Sequence, residues 1–365
     1  MAGLYVHIPF CKSRCIYCGF YSTTLLALCD HYVAAVCREW DMRRASLKDS
    51  VHTIYIGGGT PTVLSADQLS RLMAHLGGTA NEVTVECNPD DIDDAWAAAM
   101  RSCGVNRVSL GAQTFNDQRL RFLRRRHTAS QIAQAVASLR TAGFDNISID
   151  LMYGFPGETI ADWQYDLDVA TGLGVEHVSA YALTYEEGTT LYRMLQEGRV
   201  EEIDEELSRQ MYYMLCERMK SEGYEHYEIS NFAQPGRSSL HNSGYWNQTP
   251  YIGLGAAAHS FDGTCRQWNI ADVKSYIESV EQGQPLTESE TLDPHTRYND
   301  IVMTALRTCE GLRIDSLDRE HRDYCLSNAR RYIEGGQLVI VGDVLRLSES
   351  GIFVSDMVMA DLMWV

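Results

Sequence analysis

Apolar positions along the chain fall into short runs separated by stretches with helical spacing. Residues 51–56, Glu82–Cys87, 105–110, 146–152 and 177–183 read as buried strands, preceded by a short strand from Tyr5. Most stop abruptly, at Gly57-Gly58-Gly59-Thr60-Pro61-Thr62, Asn88-Pro89, Gly111-Ala112-Gln113 and Tyr153-Gly154-Phe155-Pro156-Gly157. Helices are predicted over residues 25–44, where Leu26, Val33, Val36 and Trp40 recur at helical intervals, and after the capping Ser65. Others are predicted over 91–102, 117–123, 129–142 and 160–173, with more to about residue 222. Strands alternating with helices imply a parallel sheet, so six such units predict an α/β fold, a partial (β/α)6 or TIM-like barrel.

The rhythm changes near Tyr224. A last strand is expected over 224–229, a loop over 235–239, a hairpin over 260–268 turned at Asp262-Gly263, a helix over 272–281 and a linker over 283–291. The remainder is mainly helical with one hairpin, 337–341 and 344–347, turned at Gly342-Asp343, which suggests a winged-helix-like tail. The expected division is a barrel over 1–235, a connecting segment over 236–290 and a helical C-terminal domain over 291–365.

Composition narrows the partners. With 365 residues, 45% hydrophobic and 22% charged, the chain is globular. A net charge of −18 argues against nucleic acid as the main partner. No basic-then-apolar leader and no run of ~18 apolar residues stands out, so no membrane span is expected, and peripheral contact is the only membrane role left. Eleven cysteines in such a chain suggest a reducing, cytoplasmic setting.

Chemistry concentrates at Tyr5-Val-His-Ile-Pro-Phe-Cys-Lys-Ser-Arg-Cys-Ile-Tyr-Cys-Gly-Phe20, where Cys11, Cys15 and Cys18 share one loop. Thiolates are the usual ligands of iron–sulfur clusters, which normally take four. Three would leave one iron open. Zinc prefers four closed ligands, commonly as two Cys-x-x-Cys pairs, and no second pair follows. The residues 11–18, Gly57–Thr60, Glu86–Asn88, Gln113 and Asp150 all fall at or just beyond predicted strand ends, where β/α barrels build their sites.

The Cys-x-x-x-Cys-x-x-Cys spacing with Tyr17 before the third Cys resembles the signature of radical S-adenosylmethionine (SAM) enzymes, and the flanking words resemble its HemN/HemW branch. That resemblance implies a [4Fe-4S] cluster on Cys11, Cys15 and Cys18, an electron donor to reduce it, and a SAM whose cleavage gives a 5′-deoxyadenosyl radical. It further implies that Tyr5, Gly58 and Glu86 contact the SAM on the cluster. Tyr17, Gly59, Thr60, Gln113, Arg125, Asp150 and Thr184 match positions around a second SAM. His241-Asn242-x-x-Tyr245-Trp246 resembles a motif of HemW haem chaperones, which makes these four residues candidates for haem binding and haem-requiring respiratory membrane proteins the expected recipients. Phe20, where HemN carries a further Cys, and the short segment before Tyr5 agree. Gly19 departs from the Cys-Asp-Phe commonly seen in HemW. The alternatives are an oxygen-independent coproporphyrinogen III dehydrogenase and a non-catalytic scaffold around a structural metal.

Overall fold

The computed structural model describes residues 1–47, 49–77 and 80–365. Six parallel strands pair in chain order: β1 (Ala2–Ile8), β2 (Val51–Gly58), β3 (Glu82–Cys87), β4 (Arg107–Gln113), β5 (Ile147–Tyr153) and β6 (His177–Ala182). Each is followed by at least one helix, as the alternation predicted. A hairpin of β7 (Glu225–Glu228) and β8 (Asn231–Ala233) lies antiparallel against β6. On the other side β9 (Tyr251–Leu254) runs parallel to β1, and β10 (His259–Phe261), β11 (Cys265–Asn269) and β12 (Thr287–Thr291) extend the sheet antiparallel. Among the described residues β12 and β7 are the two edges of this twelve-stranded sheet, so it is not closed into a complete barrel.

Side chains alternate across a strand, and here the alternation separates two chemistries. Leu4, Val6, Ile54, Ile56, Val85, Val108, Ile149 and Val178 are buried in one apolar core with the surrounding helices. The intervening positions carry Tyr5, Tyr55, Thr84, Glu86, Arg107, Ser109, Asp150, His177 and Ser179. A polar barrel interior of this kind is unfavourable unless it is hydrogen-bonded or serves a ligand.

Several boundaries differ from the sequence reading for local reasons. The fourth strand runs on through Gly111–Gln113, because a bulge lets Gln113 pair with Leu151 while adopting φ +67°. The helix expected from residue 91 begins at Asp94, after a 3-10 turn over Pro89–Asp91, with Asp93 as its cap. The expected linker 283–291 contains β12, whose side chains are all exposed; an edge strand with no buried face carries no apolar alternation to reveal it. The Ser65 cap is present, as a capping box with Gln68.

One buried carboxylate ties the added strands to the barrel. Glu39, fully buried, accepts from Arg43 at 2.7 Å, the Gly255 N–H at 2.9 Å, Asn269 at 2.8 Å and the Tyr276 hydroxyl at 2.6 Å. A second apolar cluster is drawn from Tyr298 to Leu362, around helices Pro294–Leu306, Arg319–Glu334 and Ser355–Leu362 and the small sheet β13 (Leu312–Arg313), β14 (Leu338–Val341) and β15 (Val344–Leu347). Its helix, strand, helix, hairpin order is winged-helix-like. Buried Glu228 on β7 pairs with Arg307 at 2.7 Å and joins this part to the barrel.

Candidate functional site

The cysteine loop is pinned where it leaves β1. The Cys11 N–H donates to Thr23 O at 2.9 Å and the Thr23 N–H to Pro9 O at 2.7 Å, which closes the intervening residues into a loop. The chain after β2 docks on the loop's base, with the Gly59 N–H on Ile8 O and the Thr60 N–H on Phe10 O, both at 2.9 Å. A Cβ at Gly59 would come within 2.8 to 2.9 Å of backbone atoms of Pro9, Ile8 and Phe10. Glycine is therefore required here so that two backbones can touch.

A cavity of about 760 Å³ opens at the C-terminal ends of the strands. Of the residues singled out in the sequence, Cys11, Cys15, Tyr17, Cys18, Gly58, Gly59, Thr60, Glu86, Gln113, Arg125, Asp150, Thr184 and Asn242 all line it. Tyr5, His241, Tyr245 and Trp246 do not. The wall also holds Asn88, expected at a strand end, together with Tyr55, Arg107, Ser109, Ser179, Tyr181 and Glu186, which the sequence reading missed. Their signal was a polar residue at every second position of a buried strand, as in Arg107-Val-Ser109 and His177-Val-Ser179-Ala-Tyr181.

The three thiols are free, and two are held by neighbours. Cys11 Sγ lies 3.5 Å from Thr60 Oγ1, and Arg125 Nη1 donates to Cys15 Sγ at 3.7 Å. Arg125 is fixed by Asn88 Oδ1 at 2.7 Å and Gly111 O at 2.6 Å, and a Cβ at Gly111 would stand 2.8 Å from the guanidinium. Burial pushes the Cys11 and Cys18 thiols up, and the neighbouring cysteines add to it. A bound cation reverses that tendency, because it stabilises the thiolate. Among the described residues no three His, Cys, Asp or Glu side chains could hold one metal ion. The three free thiols of this one loop all face the cavity, a donor set of the type that holds iron–sulfur clusters. When bound, such a cluster would supply one electron to a ligand at the cavity mouth. Cys87 also reaches the wall, but its thiol turns back on Val85 O. At Gly19 the end of the flexible Glu186 side chain occupies the space a Cβ would take and would have to swing aside for a larger residue.

Deeper in the cavity lie two carboxylates. Glu86 accepts from the Tyr55 hydroxyl at 2.7 Å and the Gly58 N–H at 3.0 Å, and Asp150 accepts from Ser109 at 3.2 Å. Burial raises both carboxyls, Glu86 from 4.5 to about 7. The folded Glu86 thus holds its proton more tightly than the unfolded one. Its contribution to stability is full below pH 4.5 and falls as pH rises towards 7. A Glu86→Gln protein should consequently be more stable than the parent at pH 8, by up to about 3 kcal/mol, and its melting temperature should fall less steeply between pH 5 and pH 8, with buried Glu158, also raised to about 7, keeping its own share of the dependence. Melting curves across that range check it.

The segment His241-Asn-x-x-Tyr-Trp246 forms a short helix, Leu240–Trp246, beneath the barrel. Glu82 of β3 caps it, accepting from the Leu240 and His241 N–H groups at 2.9 Å. His241 is buried, with Nδ1 on Thr53 Oγ1 and Nε2 on Tyr245 OH, both at 2.8 Å, and it stacks on Tyr55 at 5.1 Å. Burial lowers its pKa to about 3, so it is neutral. Both ring nitrogens are engaged. Trp246 instead lies under the Arg307 guanidinium, 5.0 Å from the ring centre. Tyr5 sits inside the barrel with its hydroxyl 2.9 Å from His7 Nδ1.

Comparison with known proteins places this geometry. The Radical SAM superfamily matches residues 5–170. The chain is 36% identical to the heme chaperone HemW of Bacillus subtilis, over 86% of this chain and 85% of that one. It is 33% identical to the heme chaperone HemW of Mycobacterium tuberculosis, over 93% and 91% respectively. The fold superposes on that of coproporphyrinogen III oxidase (HemN) from Escherichia coli with a TM-score of 0.85, covering 99% of this chain and 90% of that one at 23% identity. No helix among the described residues is long and apolar enough to cross a membrane. On its cysteine loop, its partial barrel and its relatedness over nearly its whole length, the chain belongs to the HemW branch of the radical SAM superfamily.

Proposed function

We propose that the chain is a haem chaperone. It binds a [4Fe-4S] cluster through Cys11, Cys15 and Cys18, binds SAM beside it, and delivers haem from the cytoplasm to respiratory membrane proteins, with an electron donor supplying the cluster. Gly58 and Glu86 would meet the SAM on the cluster, with Tyr5 packed below. Tyr17, Gly59, Thr60, Gln113, Arg125, Asp150 and Thr184 would line the space for a second. The units would be the barrel (1–235), the segment bearing the haem motif (236–290) and the C-terminal domain (291–365). The observation that carries this reading is the identity to proteins named heme chaperones over almost the full chain, combined with the intact His241-Asn242-x-x-Tyr245-Trp246 motif.

His241 can ligate iron only if Nε2 leaves the Tyr245 hydroxyl or Nδ1 leaves that of Thr53, so the haem role of the motif is testable separately from its packing role. His241→Ala should cost about 1–3 kcal/mol of stability whatever its ligand role, since it strands the Thr53 and Tyr245 hydroxyls. Hemin titrated into anaerobically reconstituted protein should give a Soret shift that weakens in His241→Ala at a temperature where the variant is folded. No Soret change in the parent would overturn the haem reading. Anaerobic turnover of coproporphyrinogen to protoporphyrinogen would replace it with the dehydrogenase.

A further inference from the structure

Arg107, the first residue of β4, points into the barrel and is 1% exposed. It lines the deep part of the cavity, yet among the described residues it has no ion pair, and its Nε is buried with no hydrogen-bond partner. Its cross-strand partner Thr84 is fully buried, and its hydroxyl has no partner either. Two adjacent buried polar groups without partners are costly in a finished core. Of the two, Arg107 is the one on the cavity wall, where its guanidinium can donate to an oxygen acceptor. Glu86 and Asp150 are nearby in the barrel but outside ion-pair distance of Arg107.

The depth of the site limits what that acceptor can be. Arg125 reaches Cys15 from the Gly111 carbonyl, four residues further along β4. Four residues of strand span roughly 13 Å. The Arg107 backbone therefore enters the cavity well below the level of the cysteine loop. It lies towards the helix Leu240–Trp246, whose Asn242 shares the cavity wall.

We propose that Arg107 is the receptor for a carboxylate on the cavity's larger ligand, the propionate side chain of a tetrapyrrole. This deepens the haem reading and rests on it. A planar guanidinium suits a carboxylate because it can bind both oxygens at once.

The test compares hemin with hemin dimethyl ester on the reconstituted full chain, for the parent, Arg107→Met and Arg107→Lys, with thermal melting to confirm folding. The parent should favour hemin over the ester by at least about tenfold. Arg107→Met should bind both equally, and Arg107→Lys should keep part of the preference. An undiminished preference in folded Arg107→Met, or in Arg107→Lys if the Met variant does not fold, overturns the proposal while leaving haem binding intact. If the parent binds no hemin, the haem reading fails, and SAM against decarboxylated SAM decides the remainder. A preference for SAM that Arg107→Met abolishes would keep Arg107 as a carboxylate receptor with SAM as the source. A preference unchanged by the substitution would leave Arg107 a structural cation that offsets Glu86 and Asp150.

Discussion

A Cys15→Ala protein should emerge from anaerobic reconstitution with neither bound iron nor labile sulfide, whereas Cys309→Ala should match the parent. The geometry leaves no substitute ligand. Cys87, the other thiol on the cavity wall, is buried and turned onto Val85 O. Cys15 is also the sulfur that Arg125 meets, so its loss leaves a buried guanidinium with one partner fewer. Cys309 is exposed, and the cavity wall does not include it. Iron and sulfide assays on the two variants check the expectation, and a Cys15→Ala protein that retains its cluster would remove the loop from the account.

The second large effect is on stability. Glu39→Ala should cost about 3–5 kcal/mol, because it leaves Arg43 without its ion-pair partner and strands three further donors in the interior. The affected donors are Gly255, Asn269 and Tyr276, so the damage falls on the junction between β1 and the added strands. A fall in melting temperature on the order of 10 °C is expected. Glu39→Gln should fall between the parent and Glu39→Ala, since the amide keeps an acceptor of the same shape. A melting temperature within a degree or two of the parent for Glu39→Ala would show that the strands after β8 are held by apolar packing alone.

The parallel strands could be read from sequence because their outward faces are continuous apolar surface, as in Val83 and Val85 or Ile147, Ile149 and Leu151. Strand β12 was invisible for the opposite reason, having no buried face. The place of β9 beside β1 was also hidden, since no periodicity announces a strand that returns about 250 residues later. The cysteine loop and Glu86 were legible from residue type and position. Arg107 was not, because an Arg at the start of a strand usually reads as a solvated charge. Only the curvature of the sheet turns it inward. The segment His241–Trp246 was recognised by its residues, but its place in the fold depends on Glu82, which sits 157 positions before Ser239 at the helix cap.

The central claim is that three sulfurs hold a cubane with one iron left for SAM. The most direct measurement is iron and sulfide per chain after anaerobic reconstitution, followed by the electron paramagnetic resonance spectrum of the reduced protein with and without SAM. The account predicts about four irons and four sulfides per chain and a spectrum that changes when SAM is added. A single zinc without labile sulfide, or a cluster spectrum indifferent to SAM, would contradict it.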